Sequence, residues 1–394
     1  MKLTLAQKRA LLRITDPLFK ALYFMYRLAS WRLWRRRAIS DAARKVLVVR
    51  LDSIGDVLLS EPAIAALHRR FKQARIDMVV SPEGRDVLSR NPAIDSFVIY
   101  EVPWHGAWRG KRVNWKDELR AIFGVLRRLR RERYDIAFEL RGDFRDIAFA
   151  VAAGAQIVVG SGWRGGGFLP DYDVPLDEGQ HRVNFALSIA AVSSNEYESH
   201  SPRIFLGRAE RAAVVTYLGQ SGDATWVALH LGAGFATKCL PLPKFVEAAM
   251  RLRDMMKETE LRFVLVGGPS EAELAARFKE RFKCSVVDLV GKLTIMETAA
   301  VLERCRLFIG NDSAPMHLAA AVGTPVVAFF GPSDPRYYRP YGVEHKVLEL
   351  EMPCRPCDHV HCAHQENLCL SQIEVDDIIS AAAEMLLPNS LEVR

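Results

Sequence analysis

Residues 310–335, GNDSAPMHLAAAVGTPVVAFFGPSDP, combine an acidic and a hydroxyl side chain with the predicted start of a helix. Asp312 and Ser313 follow a short apolar run, and the small residues over 315–322 favour a helix before the next apolar run. A helix N-terminus offers free N–H groups and a positive dipole end, so such a site can hold an anion. We expect a ribose hydroxyl and a pyrophosphate to bind here, although an ordinary turn capped by Asp or Ser fits the same residues.

A turn with two glycines, HLGAGFATK, is the second candidate for phosphate binding. Gly232 and Gly234 follow an apolar run, but their spacing is not GxGxxG, which disfavours a dinucleotide-dependent dehydrogenase. Lys238 comes just beyond the turn, where its ammonium would neutralise a diphosphate. A lysine solvated at the surface is the competing interpretation.

An acidic residue follows the first apolar run in the same way. Asp56 lies in SIGD, at the first predicted turn from strand to helix. A carboxylate there could accept a proton from an attacking hydroxyl, whereas a lone Asp at a helix start is more often a cap. A carboxylate placed to accept a proton and an ammonium placed to meet a diphosphate make Asp56 and Lys238 the predicted catalytic residues.

The segment ELRGDFRD is the candidate for binding an acceptor. Arg141, Asp143 and Arg145 lie in it, and a basic stretch over 127–133 precedes it. These cations would suit a phosphorylated ligand. A solvated basic face explains them equally well.

The candidates fall where alternating strands and helices would place them. Short apolar runs alternate with helical periodicity, which predicts an α/β fold with parallel, doubly wound sheets. The pattern restarts near 195–206, so we predict two Rossmann-like domains, over 45–200 and 201–394, with a cleft between them. Ligands bind such sheets at the carboxyl ends of the strands. The predicted strands are Lys45–Leu51, Ile76–Val80, Ser96–Tyr100, Tyr134–Leu140, Gln156–Gly160, Trp226–Leu231, Phe263–Val266, Val286–Asp288, Leu307–Ile309 and Val326–Phe330.

The basic residues are concentrated before the first domain. Residues 1–45 contain twelve Lys and Arg and two acidic residues, whereas the rest of the chain has 42 basic and 45 acidic residues. The body of the protein therefore has no basic excess, and we predict no nucleic-acid partner.

The extension over residues 1–44 contains TDPLFKALYFMYRLASWRLWRRR, which predicts a basic amphipathic helix rich in aromatic residues. Its longest apolar run, Ala21–Tyr26, is too short for a bilayer span or a signal peptide. We predict that the helix holds the protein peripherally on an anionic membrane surface, at the cytoplasmic side of the inner membrane. The alternative is a helix packed on the protein's own body or on a second subunit.

Seven cysteines indicate a reducing compartment, because the count is odd and no export signal is recognised. Four of them share CRPCDHVHCAHQENLC, a spacing that allows a zinc site but lacks two well-separated CxxC pairs. An irregular loop of thiols is the favoured interpretation, and we predict no cofactor. The four are Cys354, Cys357, Cys362 and Cys369.

The chain resembles the heptosyltransferase family, glycosyltransferase family 9, in four motifs. These are RLDSIGDVLLSEPAIAAL, HLGAGFATKCLP, GGPSE and FIGNDSAPMHLAAAVGTPVVAFFGPSDP, and the likeness covers about residues 45–380. The resemblance implies a GT-B fold, in which two Rossmann-like domains flank the active site. It also implies metal-independent, inverting transfer of a sugar from a nucleotide donor, usually ADP-heptose, to a lipopolysaccharide core or related glycolipid.

The resemblance also assigns roles to individual residues. Asp56 corresponds to the proposed base of the SxGD motif, in which Ser53 and Gly55 would lie on the acceptor side. Lys238 corresponds to the lysine after the donor loop, and Glu271 to the acidic residue that contacts the donor's ribose. The stretch at the donor phosphates corresponds to Asp312, Ser313, Ala314 and His317.

The chain departs from the family pattern in two places: the first leaves the donor sugar and base open, and the second removes an aromatic residue beside Lys238. Ser313-Ala314-Pro315 stands where Thr-Gly-Leu is common, and Cys239-Leu240 replaces Arg-Trp after Lys238. Two other classes also remain open. A nucleotide-sugar epimerase would share the fold but would act on the free nucleotide-sugar, and a non-catalytic membrane-bound scaffold would bind none.

Overall fold

The computed structural model describes residues 38–102, 114–193, 200–219, 224–257, 260–364 and 367–387. They form two compact units. One contains the described residues before Asp86 and those from Asn91 up to position 199, and the other contains Asp86–Arg90 and the described residues from His200 onward. An ion pair of 2.7 Å between Arg90 and Glu210 helps to fix the short segment in the second unit.

The predicted membrane-binding helix at 17–37 lies outside the described residues, so the anchor stays a prediction. Within the described ranges, no helix combines the length and the apolar character that crossing a bilayer requires.

The first unit is built on a six-stranded sheet in the order β3-β2-β1-β4-β5-β6, with every neighbouring pair parallel. Its central strands are almost wholly apolar and buried, as expected for a parallel sheet covered on both faces. The strands are β1 (Lys45–Arg50), β2 (Arg75–Val80), β3 (Ser96–Ile99), β4 (Ile136–Glu139), β5 (Ile157–Gly160) and β6 (Tyr172–Asp173). The helices are α1 (Ile54–Leu58), α2 (Glu61–Arg70), α3 (Pro82–Val87), α4 (Trp115–Glu132), α5 (Phe144–Ala152) and α6 (Arg182–Ala190).

The second unit repeats this plan, with a parallel sheet in the order β12-β11-β10-β7-β8-β9. The strands are β7 (Thr225–His230), β8 (Leu261–Leu265), β9 (Val286–Asp288), β10 (Leu307–Asn311), β11 (Val326–Phe329) and β12 (His345–Leu348). The helices are α7 (Arg208–Leu218), α8 (Leu242–Met255), α9 (Ala272–Phe282), α10 (Ile295–Glu303), α11 (Ala314–Ala321), α12 (Pro335–Tyr338), α13 (Leu368–Ser371) and α14 (Val375–Leu386).

Each unit therefore has the strand order of a Rossmann fold, which confirms the predicted pair of doubly wound sheets. In each sheet the strand order reverses beside the first strand of the unit. The reversal lies between β1 and β4 in the first unit and between β7 and β10 in the second. We call the crevices at the carboxyl ends of these strands the first and the second switch point.

Packing against the second sheet includes an element that the sequence analysis did not assign. Helix α14 buries Ile378, Ala382 and Met385 at the spacing of one helical face, and it packs on α8 and on strands β10, β11 and β12. The aromatic core beneath contains Phe245 edge-on to Phe329, with ring centroids 5.4 Å apart. These contacts hold β10 and β11, which carry part of the second switch point.

Candidate active site

Asp56 lies at the first switch point, in the opening turn of α1 directly after β1. The Ser53 hydroxyl donates to Asp56 Oδ2 over 2.7 Å, and Arg50 Nη2 lies 3.4 Å from Oδ1. The Asp56 side chain is 22% exposed, so it is held by protein groups on one side and reachable from the other. Gly55, which precedes Asp56 in α1, is buried.

Burial alone would raise the pKa of Asp56, but the surrounding cations and the Ser53 hydrogen bond outweigh it. Arg50 contributes most, and Arg182 and Arg141 add to it, so the pKa of Asp56 lies below its usual value. The carboxylate is therefore ionised at neutral pH and available as a proton acceptor.

Arg50 was not identified from the sequence. It is the last residue of β1 and is 3% exposed. One guanidinium nitrogen donates to the carbonyl of Leu140, and the other faces both Asp56 and Asp52. The sequence feature that could have identified Arg50 is a basic residue at the end of an otherwise apolar strand, where ligands bind in sheets of this kind.

Arg141 follows β4, and Glu139 of β4 pairs in register with Val49 of β1. The two strands therefore end at the same level, and the Arg141 side chain lies in the same crevice as Asp56. Its guanidinium lies 3.1 Å from Asp52 and 3.3 Å from Asp146. Burial alone would lower the pKa of Arg141, but the nearby carboxylates raise it by more than burial lowers it. Arg141 is therefore a fixed cation at the first switch point.

Asp143 and Arg145, both predicted on the acceptor side, bind each other. Asp143 caps α5 by accepting from the Arg145 backbone N–H, and the Arg145 side chain forms two further bonds to it of 2.8 and 2.9 Å. Burial would raise the pKa of Asp143, but the Arg145 hydrogen bond and nearby cations lower it to about 2. Asp143 therefore acts first as a helix cap, while Arg145 remains 42% exposed.

Two buried carboxyl groups behind Arg141 were also missed. Glu139 accepts hydrogen bonds from the backbone N–H groups of Arg141 and Gly142 at 2.8 and 2.9 Å. Burial, and then the neighbouring Asp146, raises the pKa of Glu139 to about 8. Burial likewise raises the pKa of Asp146 to about 7 despite the attraction of Arg141. These groups shape the loop after β4.

At the second switch point, Lys238 ends a short 3-10 turn after β7 and meets the end of β10. Its Nζ lies 2.6 Å from Asp312 Oδ2, and the Ser333 hydroxyl donates to the same oxygen. Burial would lower the pKa of Lys238, but Asp312 raises it more, so the amine stays protonated. The lysine is 24% exposed and its carboxylate partner 5%, so the cation is the group presented to a ligand.

A second polar pair lies at the ends of β7 and β8. His230 Nε2 is 3.1 Å from Glu271 Oε1, and His230 Nδ1 is 3.0 Å from the Ser313 hydroxyl. Glu271 also accepts from the Gly268 backbone N–H at 2.9 Å. Burial would raise the pKa of Glu271, but the His230 hydrogen bond lowers it more, so Glu271 is a charged acceptor suited to hydroxyl groups.

The glycines around Glu271 make room for its carboxylate. A Cβ at Gly232 would lie 2.0 Å from Glu271 Oε1, and a Cβ at Gly267 would lie 2.0 Å from Oε2. Nothing lies within 4 Å of a Cβ added at Gly234. A methyl group at Gly232 would therefore displace the Glu271 side chain, whereas one at Gly234 would meet open space on the same turn.

Asn311 fixes the loop that carries Lys238. It is fully buried; its amide nitrogen donates to the carbonyls of Leu231 and Gly232 at 3.0 Å, and its oxygen accepts from the Leu240 N–H at 2.9 Å. Like His230, it is a polar residue within an apolar strand, and the sequence analysis assigned a role to neither.

Helix α11 begins beside these groups. Ser313 is its N-cap but forms no capping hydrogen bond, because its hydroxyl faces His230 and the Asn311 carbonyl instead. Ala314 opens the helix, and His317 is buried on it at 6% exposure. No side chain caps α11. Because Pro315 has no N–H and the Met316 N–H donates to the Ser313 carbonyl, the Ala314 N–H is the group that this helix start can offer to an anion.

The four cysteines near the C-terminus, together with His359 and His364, line one small cavity beside Thr237. The Thr237 hydroxyl donates to the His359 carbonyl at 2.9 Å, which ties this loop to the turn that carries Lys238. Among the residues described, no three His, Cys, Asp or Glu side chains are arranged to hold a metal ion.

Comparison with known proteins identifies the family of this chain. The sequence profile of glycosyltransferase family 9 (heptosyltransferase) matches residues 122–367. Lipopolysaccharide heptosyltransferase 3 of Escherichia coli is 26% identical over 355 residues, which cover 85% of this chain and 97% of that protein.

Solved structures give the same result for the fold. A glycosyltransferase family 9 protein from Veillonella parvula superposes with a TM-score of 0.71 at 21% identity, covering 87% of this chain and 97% of its own. The E. coli heptosyltransferase WaaC with ADP-2-deoxy-2-fluoro heptose gives a TM-score of 0.63 at 20% identity, covering 86% and 99%. The chain therefore belongs to glycosyltransferase family 9, the heptosyltransferases, and is a glycosyltransferase.

Proposed function

We propose that this protein transfers a heptose from ADP-heptose to a lipopolysaccharide core or a related glycolipid, with inversion at the anomeric carbon. The observation that carries the proposal is the group at the second switch point, where Lys238, Glu271 and the uncapped start of α11 lie at the ends of adjacent strands. The heptose and the lipopolysaccharide acceptor rest on the names of the relatives.

The donor's two polar parts match two groups of residues. A diphosphate would meet the Lys238 ammonium and the Ala314 N–H at the start of α11, beside Ser313. A ribose hydroxyl would donate to Glu271, whose orientation is set by His230 and the Gly268 N–H. Gly232 and Gly234 would allow the backbone of the turn to approach the donor.

Asp56 would be the general base. As the acceptor oxygen attacks the anomeric carbon, its proton passes to Asp56 while the bond from that carbon to the diphosphate oxygen breaks. ADP then leaves with the bonding electrons, and Lys238 and the Ala314 N–H stabilise its growing charge. One displacement of this kind inverts the anomeric centre.

The acceptor would be bound by cations near Asp56. Arg141 is buried between two carboxylates, whereas Arg145, although paired with Asp143, keeps 42% of its side chain exposed, so a phosphate could reach Arg145 more easily. Ser53 is exposed beside the base. A lipid-linked acceptor also agrees with the proposed peripheral membrane location, through the extension over 1–44.

The test is transfer by the full chain from ADP-heptose to truncated lipopolysaccharide cores of increasing length, followed by mass spectrometry. We expect one core to gain a single heptose, with UDP- and GDP-sugars inactive and EDTA without effect. Asp56→Asn is the matched inactive enzyme.

Three outcomes would contradict the proposal. Conversion of the free nucleotide-sugar without an acceptor would indicate an epimerase. If no nucleotide-sugar raised the melting temperature of the protein, the protein would be a non-catalytic scaffold. Activity lost with EDTA and restored by magnesium or manganese would indicate metal-dependent transfer.

A further inference from the structure

Helix α4 in the first unit has two unlike sides. Asn114 caps its start by accepting from the Lys116 N–H at 3.2 Å. The inner side carries Leu129, which is fully buried, and Ile122 and Val125, which pack against the core under β1 and β4. The outer side faces solvent along the whole helix.

The outer side is strongly cationic. Residues 116–133 contain seven Lys and Arg and three acidic residues. Within the described part of the chain, Arg127 and Arg131 form no ion pair, and both are exposed. These cations are therefore not neutralised by the residues that the structure describes, which leaves them available to an anionic partner.

Large apolar side chains stand among these cations. Phe123 is 67% exposed and Leu119 is 53% exposed, one helical turn apart. Arg127 lies one turn beyond Phe123 in the same row. A shallow open hollow along this side is lined by Phe123, Leu126, Arg127, Arg130, Arg131 and Arg133.

We propose that this outer side of α4, the lipid-docking face, binds the surface of a bilayer that contains anionic phospholipid. A phospholipid offers both chemistries that the face presents, because its phosphate pairs with arginine and its acyl region accepts an aromatic or aliphatic side chain. Phe123 and Leu119 insert at the headgroup boundary, and Arg127 and Arg131 pair with lipid phosphates. The face shares no residue with the donor-binding group or with the extension over 1–44.

The test compares two double variants of the full chain in sedimentation with mixed phosphatidylcholine and phosphatidylglycerol vesicles. Arg127→Glu with Arg131→Glu should weaken association about thirtyfold or more, since each basic residue near an anionic surface contributes about 1 kcal/mol. Arg277→Glu with Arg281→Glu is the matched control, because both arginines are exposed on α9 at the same four-residue spacing. Every variant keeps the extension, so the ratio of vesicle association between the α4 double variant and the α9 double variant measures the contribution of α4 alone.

A second pair tests the apolar contribution. Phe123→Ser should weaken association about tenfold, and the loss should persist in high salt because apolar burial is not screened. Val215→Ser, at a 46% exposed position on α7, should change little. Inorganic phosphate at constant ionic strength should not displace the protein from vesicles.

Any of four results would overturn the proposal. The two double variants could lose association equally, or the α4 variant could keep it. Inorganic phosphate could compete, which would indicate a simple anion site. The α4 variants could change the sedimentation mass without lipid, which would indicate an interface between copies of this chain.

Discussion

The two switch points have the same place in the same topology but present opposite charges. At the first, the exposed group is the Asp56 carboxylate, held at 3.4 Å by the buried Arg50. At the second, the exposed group is the Lys238 ammonium, held at 2.6 Å by the buried Asp312. In both, the less exposed ion keeps the more exposed one charged.

The difference shows how one fold serves two tasks. The Rossmann topology determines where a polar group can meet a ligand, since it opens the sheet at the strand reversal. One buried ion at each switch point sets the sign of the exposed charge. It is Arg50 at the end of β1 in the first unit and Asp312 just after β10 in the second. The buried cation Arg50 thus keeps Asp56 charged for its proposed role as a base, and the buried anion Asp312 keeps Lys238 charged for its proposed role in stabilising the diphosphate.

The largest expected effect comes from removing the base. Asp56→Asn keeps the shape and the Ser53 contact but cannot accept a proton. We expect kcat to fall by about 10²–10⁴-fold, the usual contribution of a general base, while the Kd for the donor is unchanged. Single-turnover kinetics and donor titration measure the two separately, and near-normal kcat would remove Asp56 from the chemistry.

The cation of the second switch point should come next. Lys238→Ala should lower kcat by about 10²-fold and also weaken donor binding, because the diphosphate carries charge in both the ground and transition states. Lys257→Ala, at an exposed lysine of the same unit, is the control. If Lys238→Ala changed neither constant, the donor phosphates would have to bind elsewhere.

Removing the buried cation beside Asp56 should shift the pH dependence. Arg50 lowers the pKa of Asp56, and the base works only when ionised, so activity is lost as pH falls through that pKa. In Arg50→Met the pKa rises, and the acidic limb of kcat/KM moves to higher pH. It should move less in Arg50→Lys. Arg141 and Arg182 still face the carboxylate in both variants.

The pH profiles of Arg50→Met and Arg50→Lys show whether Arg50 sets the pKa of Asp56 or only supports the fold. A uniform fall in kcat/KM without movement of the acidic limb would mean that Arg50 only supports the fold. Melting temperatures of both variants serve as the control for folding.

The smallest expected effect concerns the glycine turn. Gly232→Ala places a methyl group against Glu271, so we expect the free energy of unfolding to fall by about 1–3 kcal/mol. Gly234→Ala meets open space and should stay within about 0.5 kcal/mol of the parent. Denaturant titration without donor measures both, and equal losses would mean that backbone conformation, not Glu271, requires these glycines.

Much of this arrangement could be predicted from the sequence. Strands buried on both faces appear as short apolar runs, so most strands of both sheets were predicted within two residues of their observed ends. Asp56 and Lys238 were identified because they follow such runs at turns. Strand β12 was missed because its residues, HKVL, are partly exposed and not uniformly apolar.

The supporting residues could not be predicted, because their partners are distant in the chain. Arg50 binds the carbonyl of Leu140, and His230 binds Glu271 forty-one positions away. A polar residue at the end of an apolar run gives no sign of which strand will lie beside it. The reversal of strand order supplies that information, and it becomes visible only in the folded sheet.

The three hydrogen bonds of Asn311 define how far the donor loop can move. They hold the backbone at Leu231 and Gly232 on one side and at Leu240 on the other. Any rearrangement that preserves these bonds is confined to positions 233–239, and Lys238 lies near the far anchor of that span. These anchors, together with the bonds of Thr237 to the His359 carbonyl and of Asn367 to the Ala236 carbonyl, limit the travel of the Lys238 ammonium when a ligand enters or leaves.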